Sequence, residues 1–294
     1  RMPRMPTIDE KRVYTDASDT ETVYLASGLG VVSVSVSDDL IGEFGVAHRC
    51  RAHDVATAGP YVAVATDEDV LVYDRQAEAS NRGEADTGAG SGFEPTGFGP
   101  ATAVGVQEGA LLAGDTDGRV SRRDLTGAGA ADGDTPAGTG WTDLGTVGGV
   151  RAVDGDFVAA ADGVHQVGES GLRPVGLDDA RDVDSEPLVA AESGVYKLGN
   201  GWMDVTPGPA TAVDAAGDRG LAVCDGDLYA RRPDGKSWTP TASPFDAGAT
   251  VVAVTHGTAA AYAVTDAGRF AVRVPGEEWR DRSLGVREVT AAAV

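Results

Sequence analysis

Cysteine is nearly missing: Cys50 and Cys224 are the two in 294 residues, and they lie far apart in the chain. They match no disulfide framework and no paired CxxC zinc spacing. Lysine is almost as scarce, with Lys11, Lys197 and Lys236 alone among 24 basic residues. No Lys/Arg run exists to track phosphates, so a nucleic-acid binder is not expected. Long apolar runs are missing too; nothing approaches the roughly 18 residues that a membrane span needs. Arg1 to Pro6 carries charge with no apolar stretch behind it, unlike a secretory signal. The expectation is a cytoplasmic, monomeric protein without membrane or nucleic-acid partners. Nucleotide and nucleophile motifs are lacking as well: there is no Gly-x-Ser-x-Gly elbow and no P-loop, and Gly28-Leu29-Gly30 has no helix after it.

Acid is present in excess. Asp and Glu number 46 against 24 Lys and Arg, a net charge of −22. Such self-repulsion opposes compaction in dilute buffer and is screened in concentrated salt. The excess reads as adaptation to high salt or as a surface for a basic partner.

The strongest positive signal is self-similarity. Seven short first strands stack: Arg51 to Asp54, Thr102 to Gly105, Arg151 to Asp154, Arg181 to Asp184, Thr211 to Asp214, Val252 to Thr255 and Arg287 to Thr290. Val fills the third column in all but the first of these. Each is followed by a second strand, a tight turn such as Asp117-Gly118 or Asp225-Gly226, and a third strand with period-two alternation. All four tryptophans, Trp141, Trp202, Trp238 and Trp279, fall in the fourth strand, with Phe93, Leu172 and Leu40 in that column elsewhere. Four short strands per unit of about 30 residues predict an all-β chain: one β-propeller of seven four-stranded blades. The C-terminal residues supply a first strand and Thr22 to Ala47 supplies strands two to four, so the two ends complete one blade and remove an exposed edge. Residues 1–21 then form an N-terminal extension and 22–294 the propeller. Stretches near 78–92 and 127–140, rich in Gly, Ala, Asp and Thr, read as flexible insertions in blades two and three.

Val23 to Gly30, Gly194 to Tyr196 and Gly201-Trp202, in this acidic setting, resemble an uncharacterised β-propeller family of halophilic archaea. The resemblance implies fold and source and no activity. Asp234 to Trp238 is more distantly similar to the Asp-box turn of sialidase-like propellers, with WD-type repeat propellers further off; it lacks a residue between Asp and Gly.

The first strands line the channel of a propeller. Arg51, Arg151, Arg181 and Arg287 are expected to share one column, and Asp54, Asp154, Asp184 and Asp214 another. The two rings either pair across blades or form a channel mouth for an anionic ligand, or the Asp ring holds a hard cation such as Ca²⁺. His48, Cys50 and His53, with His256, form a second candidate, a Zn²⁺ set. The leading expectation is a non-catalytic binding or scaffold propeller for an unknown protein or small molecule, with no cofactor. The alternative is a metal-dependent hydrolase using the channel on a small anionic or sugar-like substrate.

Overall fold

The computed structural model describes residues 20–77, 92–125 and 140–294. Its 28 strands make seven four-stranded antiparallel sheets. Blade 1 holds β1 (Thr20–Ser27), β2 (Gly30–Ser37) and β3 (Leu40–His48), and blade 2 holds β4 (Ala52–Ala58), β5 (Tyr61–Thr66), β6 (Val70–Asp74) and β7 (Glu94–Pro95). Blade 3 is β8 (Ala103–Gln107), β9 (Ala110–Gly114), β10 (Arg119–Asp124) and β11 (Trp141–Thr146). Blade 4 is β12 (Val150–Asp154), β13 (Phe157–Ala160), β14 (Gly163–Gly168) and β15 (Gly171–Gly176). Blade 5 is β16 (Ala180–Asp184), β17 (Leu188–Ala191), β18 (Gly194–Leu198) and β19 (Trp202–Pro207). Blade 6 is β20 (Ala210–Ala216), β21 (Arg219–Cys224), β22 (Asp227–Arg231) and β23 (Trp238–Pro240). Blade 7 is β24 (Val251–His256), β25 (Ala261–Thr265), β26 (Arg269–Arg273) and β27 (Arg280–Ser283), and β28 (Ala291–Ala293) returns to blade 1.

The all-β, seven-bladed architecture expected from the repeat is therefore what the chain adopts. Closure is also as expected, but its register differs. β28 pairs Ala291, Ala292 and Ala293 with Ala26, Leu25 and Tyr24, so Arg287 to Thr290 leads into the strand instead of forming it. Val289 is buried and leads the strand, which shifts the paired residues three places along the chain.

The second strand of each blade is covered on both faces and is accordingly apolar throughout, as in Val62 to Ala65 and Leu188 to Ala191. Successive blades pack through these strands: Ala63, Ala65 and Val70 of blade 2 meet Val104, Leu111 and Ala113 of blade 3 in one cluster. The tryptophan column does the same work further out. Trp141 Nε1 donates to the Thr96 carbonyl of the preceding blade at 3.2 Å, and Trp202 Nε1 to Val175 at 2.8 Å. Leu40 does not belong to that column: it is exposed at a hairpin tip, and Phe44, opposite Val34, takes the place.

Turn chemistry follows the sequence. Asp225 and Gly226 both have positive φ, 53° and 80°, as a tight hairpin turn requires. At Gly118 a Cβ would fall 1.8 Å from the Val147 carbonyl oxygen, so no other residue fits. Asp234 accepts N–H bonds from Lys236 and Ser237, both at 2.9 Å, and these bonds with the Ser237 hydroxyl lower its pKa to about 2. The Asp-box-like segment is thus a self-satisfied turn. The expected insertions near 78–92 and 127–140 lie almost wholly outside the described residues, as does most of the expected extension 1–21; Thr20 and Glu21 already belong to β1. Among the described residues no helix is long and apolar enough to cross a membrane.

Candidate functional site: the axial channel

The innermost strand of every blade is an edge strand. Its outer N–H groups have no sheet partner, and an unpaired buried N–H is costly. The seven inner strands β28, β4, β8, β12, β16, β20 and β24 surround an axial cavity of about 370 Å³. Acidic side chains on these strands supply the missing acceptors.

The arrangement is clearest between blades 5 and 6. Asp182, Asp184 and Glu186 lie at alternate positions along the chain, so their side chains share one face. Asp182 Oδ2 accepts from Val213 N at 2.8 Å, Asp184 Oδ2 from Ala215 N at 3.0 Å, and Glu186 Oε1 from Gly217 N at 2.5 Å. Each bond spans the same 31 residues, one blade repeat. Asp154 repeats the contact from blade 4 to blade 5, to Ser185 N at 2.7 Å, and Asp54 repeats it from blade 2 to blade 3, to Val104 N at 2.9 Å. Asp214 instead bonds the Nδ1 of His256 on blade 7, at 2.6 Å.

These contacts correct the expected columns. Every one of β4, β12, β16, β20 and β24 has a register shift near its start, and pairing through it sets Val55 level with Val153, Val183, Val213 and Val254. Asp54 therefore shares its level with Asp182, two residues before that of Asp154, Asp184 and Asp214. The level of Arg151 and Arg181 is occupied by His53 in blade 2, while Arg51 lies two residues earlier and Arg287 precedes the closing strand. A slip of two residues keeps every side chain on its face, so alternation does not reveal it.

Arg–Asp ring pairing is not what the structure contains. Arg151 bonds Asp179 Oδ1 at 2.5 Å, and Arg181 reaches Asp179 at 3.7 Å and pairs with Glu192. Asp179 thus bridges the two arginines from a position that the sequence reading passed over; its positive φ of 50° is the local sign of its turn. Arg51 lies at the surface with Glu288 at 3.3 Å and Asp67 at 3.8 Å, and Arg287 is exposed.

The His/Cys set is not assembled either. His48 pairs across to Val31 and packs its ring 5.3 Å from Phe93. Cys50 sits against the apolar cluster between blades 1 and 2, and burial raises its thiol pKa. His53 bonds Asp67 at 2.5 Å, and His256, two blades round the ring on blade 7, is held by Asp214. Among the described residues no three His, Cys, Asp or Glu side chains are grouped to hold a metal ion.

Burial dominates the channel electrostatics. It raises Asp182 to about 8, against the N–H bonds from Val213 and Val183 that pull the other way. Asp54 rises to about 7 for the same reason, and Asp184 to about 7 with the Asp214 charge adding to burial. Asp214 is raised well above the usual range by burial and by Asp154, whereas burial and the charge of Arg219 lower His256 to about 4. Burial thus favours the protonated forms of Asp54, Asp182, Asp184 and Asp214.

The family model described as Beta-prop_HVO_0234:-like, beta propeller, matches residues 7–294. The chain belongs to that family. The resemblance drawn from Val23 to Gly30 and Gly194 to Trp202 is borne out at this level. Solved structures give the fold alone. A chain of the crystal structure of the Nidogen/Laminin complex is 8% identical with a TM-score of 0.54, covering 92% of this chain and 97% of that one. The computationally designed Ika8 protein is 15% identical with a TM-score of 0.54, over 93% and 91%. YCF48 bound to D1 peptide is 11% identical with a TM-score of 0.54, over 90% and 86%. No curated protein matches the chain. The members of this structural group are propellers, and the architecture suits binding and scaffolding in general.

Proposed function

We propose that this family member is a non-catalytic propeller that works in high salt as a rigid binding platform, with the channel mouth presenting the recognition residues. The observation that carries the reading is the use of the channel acids. Asp54, Asp154, Asp182 and Asp184 each spend an oxygen on a backbone N–H of the next blade, which fixes neighbouring blades rather than a substrate. Arg151 and Arg181, clustered on Asp179 beside Ala180, present guanidinium groups at one end of the cavity, where an anionic small molecule or an acidic peptide is the chemistry they suit. The reading needs no resident cofactor, and the excess of acid over base supports screening by concentrated salt in a cytoplasmic setting.

A panel of phosphate esters, carboxylate esters and glycosides, incubated with the protein alone and with Ca²⁺ or Zn²⁺, tests it. No turnover above the rate in buffer is expected. Turnover that disappears in Asp184→Asn or Asp214→Asn would restore the hydrolase reading.

A further inference from the structure

Three arginines converge on one groove between blades 6 and 7. Arg219 opens β21, Arg231 closes β22, Arg273 closes β26, and His256 at the end of β24 forms the wall shared with the axial channel. Strand direction explains the meeting: a first strand ends, a second begins and a third ends on the same face of the ring, so side chains from all three arrive together.

The three guanidinium groups differ in their partners. Arg231 is balanced by Glu186 at 3.2 Å and also bonds the Gly217 and Gly235 carbonyls. Arg219 donates to the carbonyl oxygens of Gly257 at 2.6 Å, Thr258 at 3.2 Å and Ala260 at 3.3 Å, all of them neutral. Arg273 donates to the Thr241 hydroxyl at 3.3 Å and lies over the Trp279 ring, 4.6 Å from its centre. Among the described residues neither Arg219 nor Arg273 has a carboxylate in ion-pairing range, although acids outnumber bases by nearly two to one in the chain. Asp218 and Glu277, also on the groove wall, are exposed.

A guanidinium stays charged, so a half-buried one without an anion keeps an uncompensated charge. Burial, and after it the Arg219 charge, lower the His256 pKa, and burial lowers Arg273 itself, in keeping with two cations held partly out of water. The cavity here is about 340 Å³, far more than one inorganic ion fills, and Ala261 and Pro275 give it apolar flanks.

We infer that the groove between blades 6 and 7 binds a small organic dianion, two carboxylate or phosphoryl groups on a short carbon skeleton, with Arg219 and Arg273 as its charge partners. One guanidinium takes each anionic group as a hydrogen-bonded fork, and the apolar flanks take the skeleton. The site is separate from the channel mouth and stands independently of the reading proposed above.

Calorimetric titration of the full chain at fixed KCl concentration tests it, with succinate and methylenediphosphonate as probes. Saturable binding of at least one probe is expected, weakened about tenfold or more by Arg219→Gln and by Arg273→Gln and less than about twofold by Arg151→Gln at the channel mouth. Tighter binding of succinate assigns the carboxylate class, and tighter binding of methylenediphosphonate the phosphoryl class. Absence of saturable binding for both probes overturns the proposal. So does binding that both groove variants leave intact, or that Arg151→Gln weakens equally. Arg219 holds three carbonyls of the 257–260 turn; if Arg219→Gln does not fold, Arg273→Gln, which loses one long hydrogen bond and its contact with the Trp279 ring, decides the matter.

Discussion

Asp182 accepts the N–H of Val213, on the neighbouring blade, at 2.8 Å, while its other oxygen accepts from Val183 N at 2.9 Å. Asp54 makes the same two bonds, to Val104 N and Val55 N, three blades away round the ring. One short side chain thus satisfies its own strand and the next, and a carboxyl group can do so whether or not it carries a proton.

The protonation state sets a pH dependence. Asp182 has a folded pKa of about 8 against an ordinary 3.8, so the folded state holds the proton more tightly. The stabilisation from that proton is complete below about pH 4 and is lost as pH rises through 8. Asp182→Asn removes the titration but keeps one acceptor oxygen for two N–H donors, so it should be less stable than wild type at pH 4, by roughly 1 to 3 kcal/mol, with the gap narrowing as pH rises to 9. Thermal melts of both proteins across this range check it; a gap that stays constant or widens toward pH 9 would show that the fold does not favour the protonated form of Asp182.

His256 should titrate in the opposite sense. Burial lowers its pKa to about 4, so the folded state disfavours the proton, and this residue costs stability as pH falls from about 6.5 to 4. Imidazole NMR shifts should show a neutral ring down to about pH 5. A midpoint near 6.5 would mean that the ring is solvated.

The channel acids act as N–H acceptors, so added Ca²⁺ or Zn²⁺ should leave the melting temperature unchanged, as should a chelator. A metal-induced rise that vanishes in Asp154→Asn/Asp184→Asn would reassign these residues as ligands.

Removal of residues 287–294 should abolish the single cooperative transition, because β1 loses its partners Ala291 to Ala293 and Thr57 loses its bond to the Val294 carbonyl. Unfolding followed by circular dichroism at matched salt reads this directly. A truncated chain that melts like the full one refutes closure by β28.

With a net charge of −22, stability should fall as salt is withdrawn. Lowering KCl from molar to millimolar lengthens the screening distance from about 3 Å toward 30 Å, and the melting temperature should drop by more than about 5 °C. A flat profile would remove the high-salt reading.

Repeat, blade count and closure were legible in the chain because each rests on local chemistry. Second strands are apolar throughout, turns carry Asp-Gly or Gly, and one large side chain recurs per blade. The candidate site was legible only in part. Asp154, Asp184 and Asp214 do share a level, but Asp54 was misplaced by two residues, Arg287 by three, and Asp182 and Asp179 were passed over. Alternation constrains a strand only to within an even slip, and bulges at the start of the inner strands are invisible to it. What the sequence determined by itself was the set of sheets and the two ends that join. Tertiary structure alone decided what each charge meets. Arg219 and Arg273 are 54 residues apart, and the partners of Asp182 and Arg219 are backbone atoms, 31 and about 40 residues away, that no side-chain pattern records.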